Sequence, residues 1–194
     1  MLSIDIKWPG AKTTLKGLIY IVDDDPSLRK SLAGLFDDTG FTVKECPSAE
    51  SFLQLKPRYE PSCILLDVKM DGMSGLEMQE QLSRREFTPP IVFLTGQASL
   101  QQAVSAMRAG ACHFLTKPVS DEQLLDTVRE AVEQSSSDAR FFNFLQKLTN
   151  TEKQIATLIR QGLQTKQIAA ELNASIRTVE WHRKNIAKKG YLPR

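Results

Sequence analysis

Short apolar runs rich in β-branched residues alternate with helical patterns between residue 17 and about residue 134. The runs are LIYIV (18–22), FTVKEC (41–46), CILLDV (63–68), IVFL (91–94) and HFL (113–115), and a helical pattern follows each of them. This alternation predicts an α/β fold in which a five-stranded, parallel, doubly wound sheet carries helices on both faces. The first, third and fourth runs are almost wholly apolar, as is typical of strands that are covered on both sides.

Polar side chains stand at the carboxyl ends of four of these predicted strands. They are Asp23, Asp24 and Asp25 after the first run, Asp67 at the third, Thr95 at the fourth and Lys117 at the fifth. In open α/β sheets, ligands bind outside the carboxyl ends of the strands, near the point where the strand order reverses. We therefore expect these groups to converge on one edge of the sheet.

Clustered carboxylates point to a cation, because each one is harder to ionise beside the others unless positive charge compensates. Mg²⁺ suits such a set, since it is a hard ion held by carboxylate, water and phosphate oxygens. With Lys117 nearby, Asp67 is a candidate nucleophile that forms an aspartyl-phosphate, and Thr95 supplies a hydrogen bond. Pro118 allows a cis peptide bond that would fix the direction of Lys117. The simpler alternative is that these acids are solvated turn residues or helix caps.

Four motifs, in order, resemble the receiver domain of two-component response regulators: VDDD (22–25), LLDVKMDGMSG (65–75), LTG (94–96) and FLTKP (114–118). The resemblance implies a flavodoxin-like domain in which Asp67 accepts the phosphoryl group and Thr95 and Lys117 hold it. It further implies a switch formed by Thr95 and Phe114, and an Asp25 that caps the first helix. The implied Mg²⁺ ligands are Asp23, Asp24, Asp67 and the backbone carbonyl of Lys69.

One position departs from the family pattern. Receivers of this kind usually have Met-Pro-Gly, whereas this chain has Met70-Asp71-Gly72. Asp-Gly still favours a turn. The additional carboxylate has two interpretations, either as a solvated turn residue or as a group that alters metal affinity or the lifetime of the phosphoryl group.

The C-terminal segment differs from the rest of the chain in charge. Residues 149–194 carry nine Lys and Arg and three Glu, a net charge of +6, whereas the first 148 residues have 16 basic and 20 acidic groups, a net charge of −4. This asymmetry indicates a second module with a polyanionic partner, although a basic solvated surface is the alternative. After a predicted polar break, QSSSDAR (134–140), and a short linker helix, FFNFLQKL, the sequence predicts three helices over 151–161, 165–172 and 175–188. A short second helix and a polar third helix are typical of a helix-turn-helix unit.

The segments LTNTE (148–152), GLQTKQIAAEL (162–172) and SIRTVEWHRKNIAKK (175–189) resemble the LuxR-type DNA-binding module of the FixJ/NarL class. The resemblance places Ile168, Ala169, Leu172 and Val179 in the core. The residues expected at the major groove or its rims are Thr178, Glu180, Trp181, Arg183 and Lys184, and those expected at phosphates are Lys166, Arg177, Lys188 and Lys189. His182 is expected to be a packed or phosphate-bonding imidazole, and Trp181 has a second interpretation as a partly buried residue.

The expected organisation is an N-terminal extension (1–16), a receiver domain (17–133), a helical linker (134–147) and a LuxR-type domain that lacks its last helix (148–194). Relatives usually continue into a fourth helix, whereas this sequence ends at GYLPR. Either the sequence is shortened or the protein pairs differently, and without that helix dimerisation would fall to the receiver or the linker helix. The expected function is control of transcription. A sensor histidine kinase would phosphorylate Asp67, and the protein would bind double-stranded promoter DNA as a homodimer on activation.

Other classes of protein fit the sequence less well. The three cysteines have no metal-ligand or disulfide spacing, and no apolar run approaches the ~20 residues of a membrane span, so a cytoplasmic protein without membrane contact is expected. A phosphatase of the haloacid-dehalogenase type would have a second acid where Lys69 stands, so no enzyme is expected. A tail that binds a protein instead of DNA is the other alternative.

Overall fold

The computed structural model describes residues 16–37 and 39–190. The chain divides into two compact units, the first ending at Ala139 and the second beginning at Arg140. Apart from Lys16, the N-terminal extension expected over residues 1–16 lies outside the described residues, and so do the last four residues of the GYLPR end. Among the described helices, none has the length and apolar character that crossing a bilayer requires.

Unit 1 is built on a parallel sheet of five strands. These are β1 (Leu18–Val22), β2 (Thr42–Cys46), β3 (Ser62–Leu66), β4 (Ile91–Thr95) and β5 (His113–Thr116). Their order across the sheet is β2-β1-β3-β4-β5, and every pairing is parallel. The strand order reverses between β1 and β3, so a ligand site is expected outside the carboxyl ends of these two strands. The predicted doubly wound fold is confirmed.

The helices of unit 1 cover both faces of the sheet. They are α1 (Pro26–Leu35), α2 (Ala49–Leu53), α3 (Gly75–Leu82), α4 (Leu100–Arg108) and α5 (Asp121–Leu145). Side chains alternate along each strand. In β1, Tyr20 therefore packs with Phe52 of α2 and Met78 of α3, whereas Ile19 packs with Val128 of α5. Every residue of the central strands β1, β3 and β4 is buried, which explains their nearly continuous apolar runs.

The predicted polar break at 134–140 is wrong, because α5 continues through these residues to Leu145. The buried positions Val132, Ser135 and Ala139 recur every three or four residues, so one face of the helix stays in the core. The hydroxyl of Ser135 is satisfied inside the protein: its oxygen accepts from the N–H of Ser62 at 2.8 Å, and its O–H donates to the carbonyl of Val132 at 2.9 Å. A serine that is bonded in this way does not end a helix.

Unit 2 contains the end of α5 followed by α6 (Asn150–Arg160), α7 (Thr165–Glu171) and α8 (Ile176–Lys188). Thr149 caps α6 in a reciprocal box with Glu152, and Ser175 caps α8 by accepting from the N–H of Thr178 at 3.0 Å. Gly162 (φ 88°) and Asn173 (φ 48°) adopt left-handed backbone between the helices, a conformation that commonly follows the end of a helix. The three predicted helices are confirmed to within a residue or two at each end.

Candidate phosphorylation site and nucleic-acid interface

Three carboxylates meet at the carboxyl ends of β1 and β3. Asp23 and Asp24 directly follow β1, Asp67 directly follows β3, and oxygen atoms of the three side chains lie within 4.8 Å of one another. Asp23 is buried, Asp67 is partly buried and Asp24 is exposed, so the cluster opens to solvent on one side. Asp25 does not join the cluster. Its side chain accepts from the N–H groups of Ser27 and Leu28, which confirms the predicted cap of α1.

Lys117 brings a positive charge to these acids from the end of β5. Its ammonium nitrogen lies 3.1 Å from Oδ2 of Asp23 and 3.9 Å from Oδ1 of Asp67. The Lys117–Pro118 peptide bond is cis, as the sequence suggested. The lysine therefore lies beside both Asp23, which follows β1, and Asp67, which follows β3.

One carboxylate oxygen of Asp67 is left unsatisfied within the described part of the chain. Its Oδ1 atom is buried and forms no hydrogen bond with the residues that the structure describes. Burial raises the pKa of this carboxyl above its ordinary value, the Lys117 ammonium opposes the shift, and the charge of Asp23 adds to it. A partly buried carboxylate with an unused oxygen has the capacity to bind a further ligand.

The remaining predicted receiver residues occupy the same edge of the sheet or the strands beside it. Thr95 ends β4 and is buried, and its hydroxyl donates to the carbonyl of Gln97 at 3.3 Å. Phe114 of β5 is partly buried and packs on Phe93, with ring centroids 5.5 Å apart. Lys69 is exposed, and its ammonium donates to the side-chain oxygen of Gln97 at 3.2 Å. The roles of Thr95 and Phe114 as switch residues, and of the Lys69 carbonyl as a metal ligand, stay predictions.

Three residues around the site were not predicted. Arg29 of α1 donates to the backbone carbonyl of Asp23 at 2.6 Å, and Glu50 of α2 accepts from the N–H of Met73 at 3.0 Å. Gly75 begins α3 so close to the chain that a Cβ atom there would lie 2.1 Å from the carbonyl oxygen of Asp67. No local pattern marks Arg29 or Glu50, because their partners are set by tertiary contacts. Gly75 was part of a quoted motif, but its spacing from Asp67 appears only in three dimensions.

In unit 2, apolar side chains hold α7 against α8. Ile168, Ala169 and Val179 are buried, and Leu172 packs on the same cluster, so these four predicted core residues are placed as expected. Of the predicted DNA-binding residues other than Lys189, seven are exposed and two are partly buried. The exposed residues are Lys166, Arg177, Thr178, Glu180, Trp181, Lys184 and Lys188, and the partly buried ones are His182 and Arg183.

The structure shows the surroundings of three predicted residues in or next to α8. Trp181 is 60% exposed, so it is not the partly buried residue of the alternative interpretation. His182 packs against the edge of Trp181, with centroids 4.9 Å apart, and its buried Nδ1 atom has no hydrogen-bond partner among the described residues. Lys189 was expected at a phosphate, but its ammonium binds Glu152 at 2.7 Å. That hydrogen bond, with the cap from Thr149, holds the pKa of Glu152 below its usual range.

Comparisons with known proteins agree with this geometry. Residues 19–129 match the model of the response regulator receiver domain, and residues 146–189 match the model of the bacterial regulatory proteins of the luxR family. The chain therefore belongs to the two-component response regulators, with a receiver domain joined to a LuxR-type DNA-binding domain.

Within that class, the chain is homologous to transcriptional response regulators such as FixJ. It is 34% identical to FixJ of Bradyrhizobium diazoefficiens over 183 residues (91% of this chain and 89% of FixJ). It is 36% identical to nodulation protein W of the same organism over 185 residues (92% of this chain and 82% of the relative). Among solved structures it is similar to the response regulator StyR, with 35% identity, a TM-score of 0.59, and coverage of 92% of this chain and 94% of StyR.

Proposed function

We propose that Asp67 accepts a phosphoryl group from a sensor histidine kinase at a Mg²⁺ site, and that this event controls binding of double-stranded DNA by α8. The observation that supports the site best is the meeting of Asp23, Asp24 and Asp67 within 4.8 Å, with the Lys117 ammonium 3.9 Å from Asp67. Three acids and one cation leave an excess of negative charge, so a cation is favoured at this point.

The residues present suit Mg²⁺. The donors are carboxylate oxygens, which this hard cation prefers, and one of them, Oδ1 of Asp67, is buried and has no hydrogen bond with a described residue. Asp23, Asp24 and Asp67 would hold the ion together with the backbone carbonyl of Lys69. When bound, Mg²⁺ neutralises negative charge on the oxygens of the phosphoryl group.

In the proposed reaction, an oxygen of Asp67 forms a bond to phosphorus while the bond between phosphorus and the imidazole nitrogen of the donor breaks. The electron pair of the broken bond stays on that nitrogen. Lys117 places its ammonium beside Asp67 and is positioned to pair with a phosphoryl oxygen. Thr95 would supply a hydroxyl donor; its hydroxyl already interacts with the Asp67 carboxylate and also donates to the carbonyl of Gln97, a bond that it would give up. That movement would be transmitted to Phe114 on the neighbouring strand.

Intact-protein mass spectrometry with acetyl phosphate tests this proposal. The wild-type protein is expected to gain the mass of one phosphoryl group with Mg²⁺ and none after chelation, and Asp67→Asn should gain none in either condition. Asp71→Asn is a matched control, because Asp71 is an exposed acid four residues further on that lies outside the cluster. Labelling of Asp67→Asn at the wild-type rate would refute Asp67 as the acceptor.

We also propose that the phosphorylated state is held rather than turned over on a small phosphoester. A general acid would be needed to protonate a leaving group, and the position two residues after Asp67 carries Lys69, whose ammonium binds Gln97. Steady release of phosphate from a small phosphoester, lost in Asp67→Asn, would favour the phosphatase alternative instead.

The exposed face of α8 supports the DNA-binding part of the proposal. Arg177, Lys184 and Lys188 offer exposed positive charge, and the largely exposed Trp181 offers an apolar surface for a base or a thymine methyl group. Gel-shift titrations with promoter DNA should weaken as salt rises, with a log–log slope of about 0.9 per phosphate contact. Lys188→Ala is expected to reduce that slope by about one contact, and Arg183→Ala to weaken binding with no change in phosphorylation. Salt-independent capture of a protein would indicate the other kind of partner.

Homodimerisation on activation is supported by the surface of α4. Leu100, Val104 and Met107 are 82%, 42% and 46% exposed, a concentration of apolar side chains that an interface would cover. Sedimentation velocity should show a dimer of the wild-type protein after incubation with acetyl phosphate and Mg²⁺. Leu100→Lys should stay monomeric while it accepts phosphate normally, and a dimer of this variant would place the interface elsewhere.

A further inference from the structure

The residue that departs from the usual Met-Pro-Gly motif makes a hydrogen bond that proline cannot make. The backbone N–H of Asp71 donates to Oδ2 of Asp24 at a distance of 2.9 Å. Proline has no N–H group, so a chain with proline at this position lacks the donor. The exposed side chain of Asp71 is not one of the three acids that lie within 4.8 Å of one another. Its main chain therefore reaches the metal site, although its carboxylate does not.

The loop that carries this donor is fixed on its other side. Gly72 has left-handed backbone (φ 81°), and the next residue, Met73, donates its N–H to Oε1 of Glu50 at 3.0 Å. A Cβ atom on Gly72 would lie 3.1 Å from the same Glu50 oxygen, so the turn passes close to this carboxylate. Two N–H groups on either side of one glycine thus bind two carboxylates from different parts of the chain.

We propose that Asp71 is a positioning residue for the magnesium site, and that it acts through its main-chain N–H, which holds the carboxylate of Asp24 ready to bind the ion. This inference rests on the proposed function, because it assumes that Asp24 is a metal ligand. With Oδ2 occupied by the N–H of Asp71, the other oxygen of Asp24 remains available for the ion. The exposed side chain of Asp24 is then restrained before the metal arrives.

The expected size of the effect follows from the general behaviour of groups that orient metal ligands. Removing such a hydrogen-bond partner typically costs about 10- to 100-fold in metal affinity. A donor N–H bonded to a carboxylate also disperses negative charge, which reduces the repulsion of Asp24 by Asp23 and Asp67. The carboxylate of Asp71 is exposed, so its own influence on the ion is screened by water and salt.

Two substitutions at the same position separate the main chain from the side chain. Asp71→Pro removes both the N–H and the carboxylate, whereas Asp71→Ala removes only the carboxylate. Titration calorimetry with MgCl₂ on the full chain should give a dissociation constant about 10- to 100-fold higher for Asp71→Pro than for the wild type. Asp71→Ala should stay within about threefold of the wild type, because it keeps the donor. Equal affinities for all three proteins, or tighter binding by Asp71→Pro, would overturn the inference.

Amide hydrogen exchange in metal-free buffer provides a second measurement that needs no substitution at Asp71. The Asp71 amide should exchange more slowly in the wild type than in Asp24→Ala, while the Met73 amide, which is bonded to Glu50, should be unchanged. Equal exchange of the Asp71 amide in both proteins would overturn the inference even where Asp71→Pro does not fold. A wild-type protein that binds no Mg²⁺ would instead refute the proposed metal site itself.

Discussion

Gly75 offers the sharpest test of how closely the proposed phosphorylation site is packed. Its ideal Cβ position lies 2.1 Å from the carbonyl oxygen of Asp67 and 3.1 Å from Cγ of Leu66. Ordinary van der Waals contact begins at 3.4 Å, so Gly75→Ala requires the two chain segments to separate by about 1.3 Å. Both obstacles are hard to move, because the oxygen belongs to the backbone and Leu66 is buried in a central strand.

Two effects of different size are expected from Gly75→Ala. Overpacking of this kind typically costs about 1–3 kcal/mol of unfolding free energy, which the better helix propensity of alanine offsets by less than about 1 kcal/mol. Displacement of a reacting group by about 1 Å can cost about 100-fold in rate. We therefore expect the rate of labelling by acetyl phosphate to fall about 100-fold, while the protein still folds.

Gly34→Ala is the matched control for this substitution. Gly34 lies within α1, and beyond its two neighbours and the backbone of its own helix no atom lies within 4 Å of its ideal Cβ position, so alanine should stabilise unit 1 by about 0.5–1 kcal/mol. Urea unfolding of the full chain, followed by circular dichroism and by exchange of the β1 and β3 amides, measures both changes. The argument from packing would be refuted if the Gly75→Ala protein were as stable as the Gly34→Ala protein and were labelled by acetyl phosphate at the wild-type rate.

Three further predictions concern buried polar groups. Ser135→Ala leaves the buried N–H of Ser62 without its acceptor and should cost about 1–3 kcal/mol of unfolding free energy, measured with urea. The control Ser137→Ala changes an exposed serine and should alter stability by less than about 0.5 kcal/mol. Equal effects of the two substitutions would refute the role of the Ser135 hydroxyl. The raised pKa of Asp67 means that the folded state binds the proton of this carboxyl more tightly than the unfolded state does. The metal-free wild type should therefore lose unfolding free energy as the pH rises through that pKa, and the stability advantage of Asp67→Asn over the wild type should grow over the same range. A stability advantage that is independent of pH would contradict this. The lowered pKa of Glu152 has the opposite effect on stability. The stabilisation by its carboxylate is present above the ordinary Glu pKa and is lost as the pH falls through the folded-state pKa. The melting temperature of Glu152→Gln should therefore lie below that of the wild type by an amount that shrinks in acid.

Strand composition was sufficient to predict the sheet and the place where the acids meet. A strand that is buried on both faces requires a nearly continuous apolar run, and the sequence shows such a run at each of β1, β3 and β4. Once the strands are parallel, the residue after each one lies at a common edge. Asp23 and Asp67 are therefore brought together by the fold class itself, without knowledge of any particular contact.

The end of α5 shows where such local reasoning fails. The serines of QSSSDAR predicted a break because serine competes for backbone hydrogen bonds outside helices. Ser135 instead meets the N–H of Ser62, a residue 73 positions earlier in the chain. This partner becomes available only when β3 is in the sheet, so the helix is stabilised by a tertiary contact that no window of sequence contains.

The difference between local sequence signals and tertiary contacts also explains what the sequence showed, and what it did not show, at Asp71. The sequence showed that position 71 lacks the usual proline, and both interpretations of this departure concerned the side-chain carboxylate of Asp71. The structure gives that side chain no part in the cluster, whereas the N–H that any residue except proline supplies binds Asp24. On this argument, alanine, serine or asparagine at position 71 should serve the proposed metal site about as well as aspartate, and proline is the one residue that changes it.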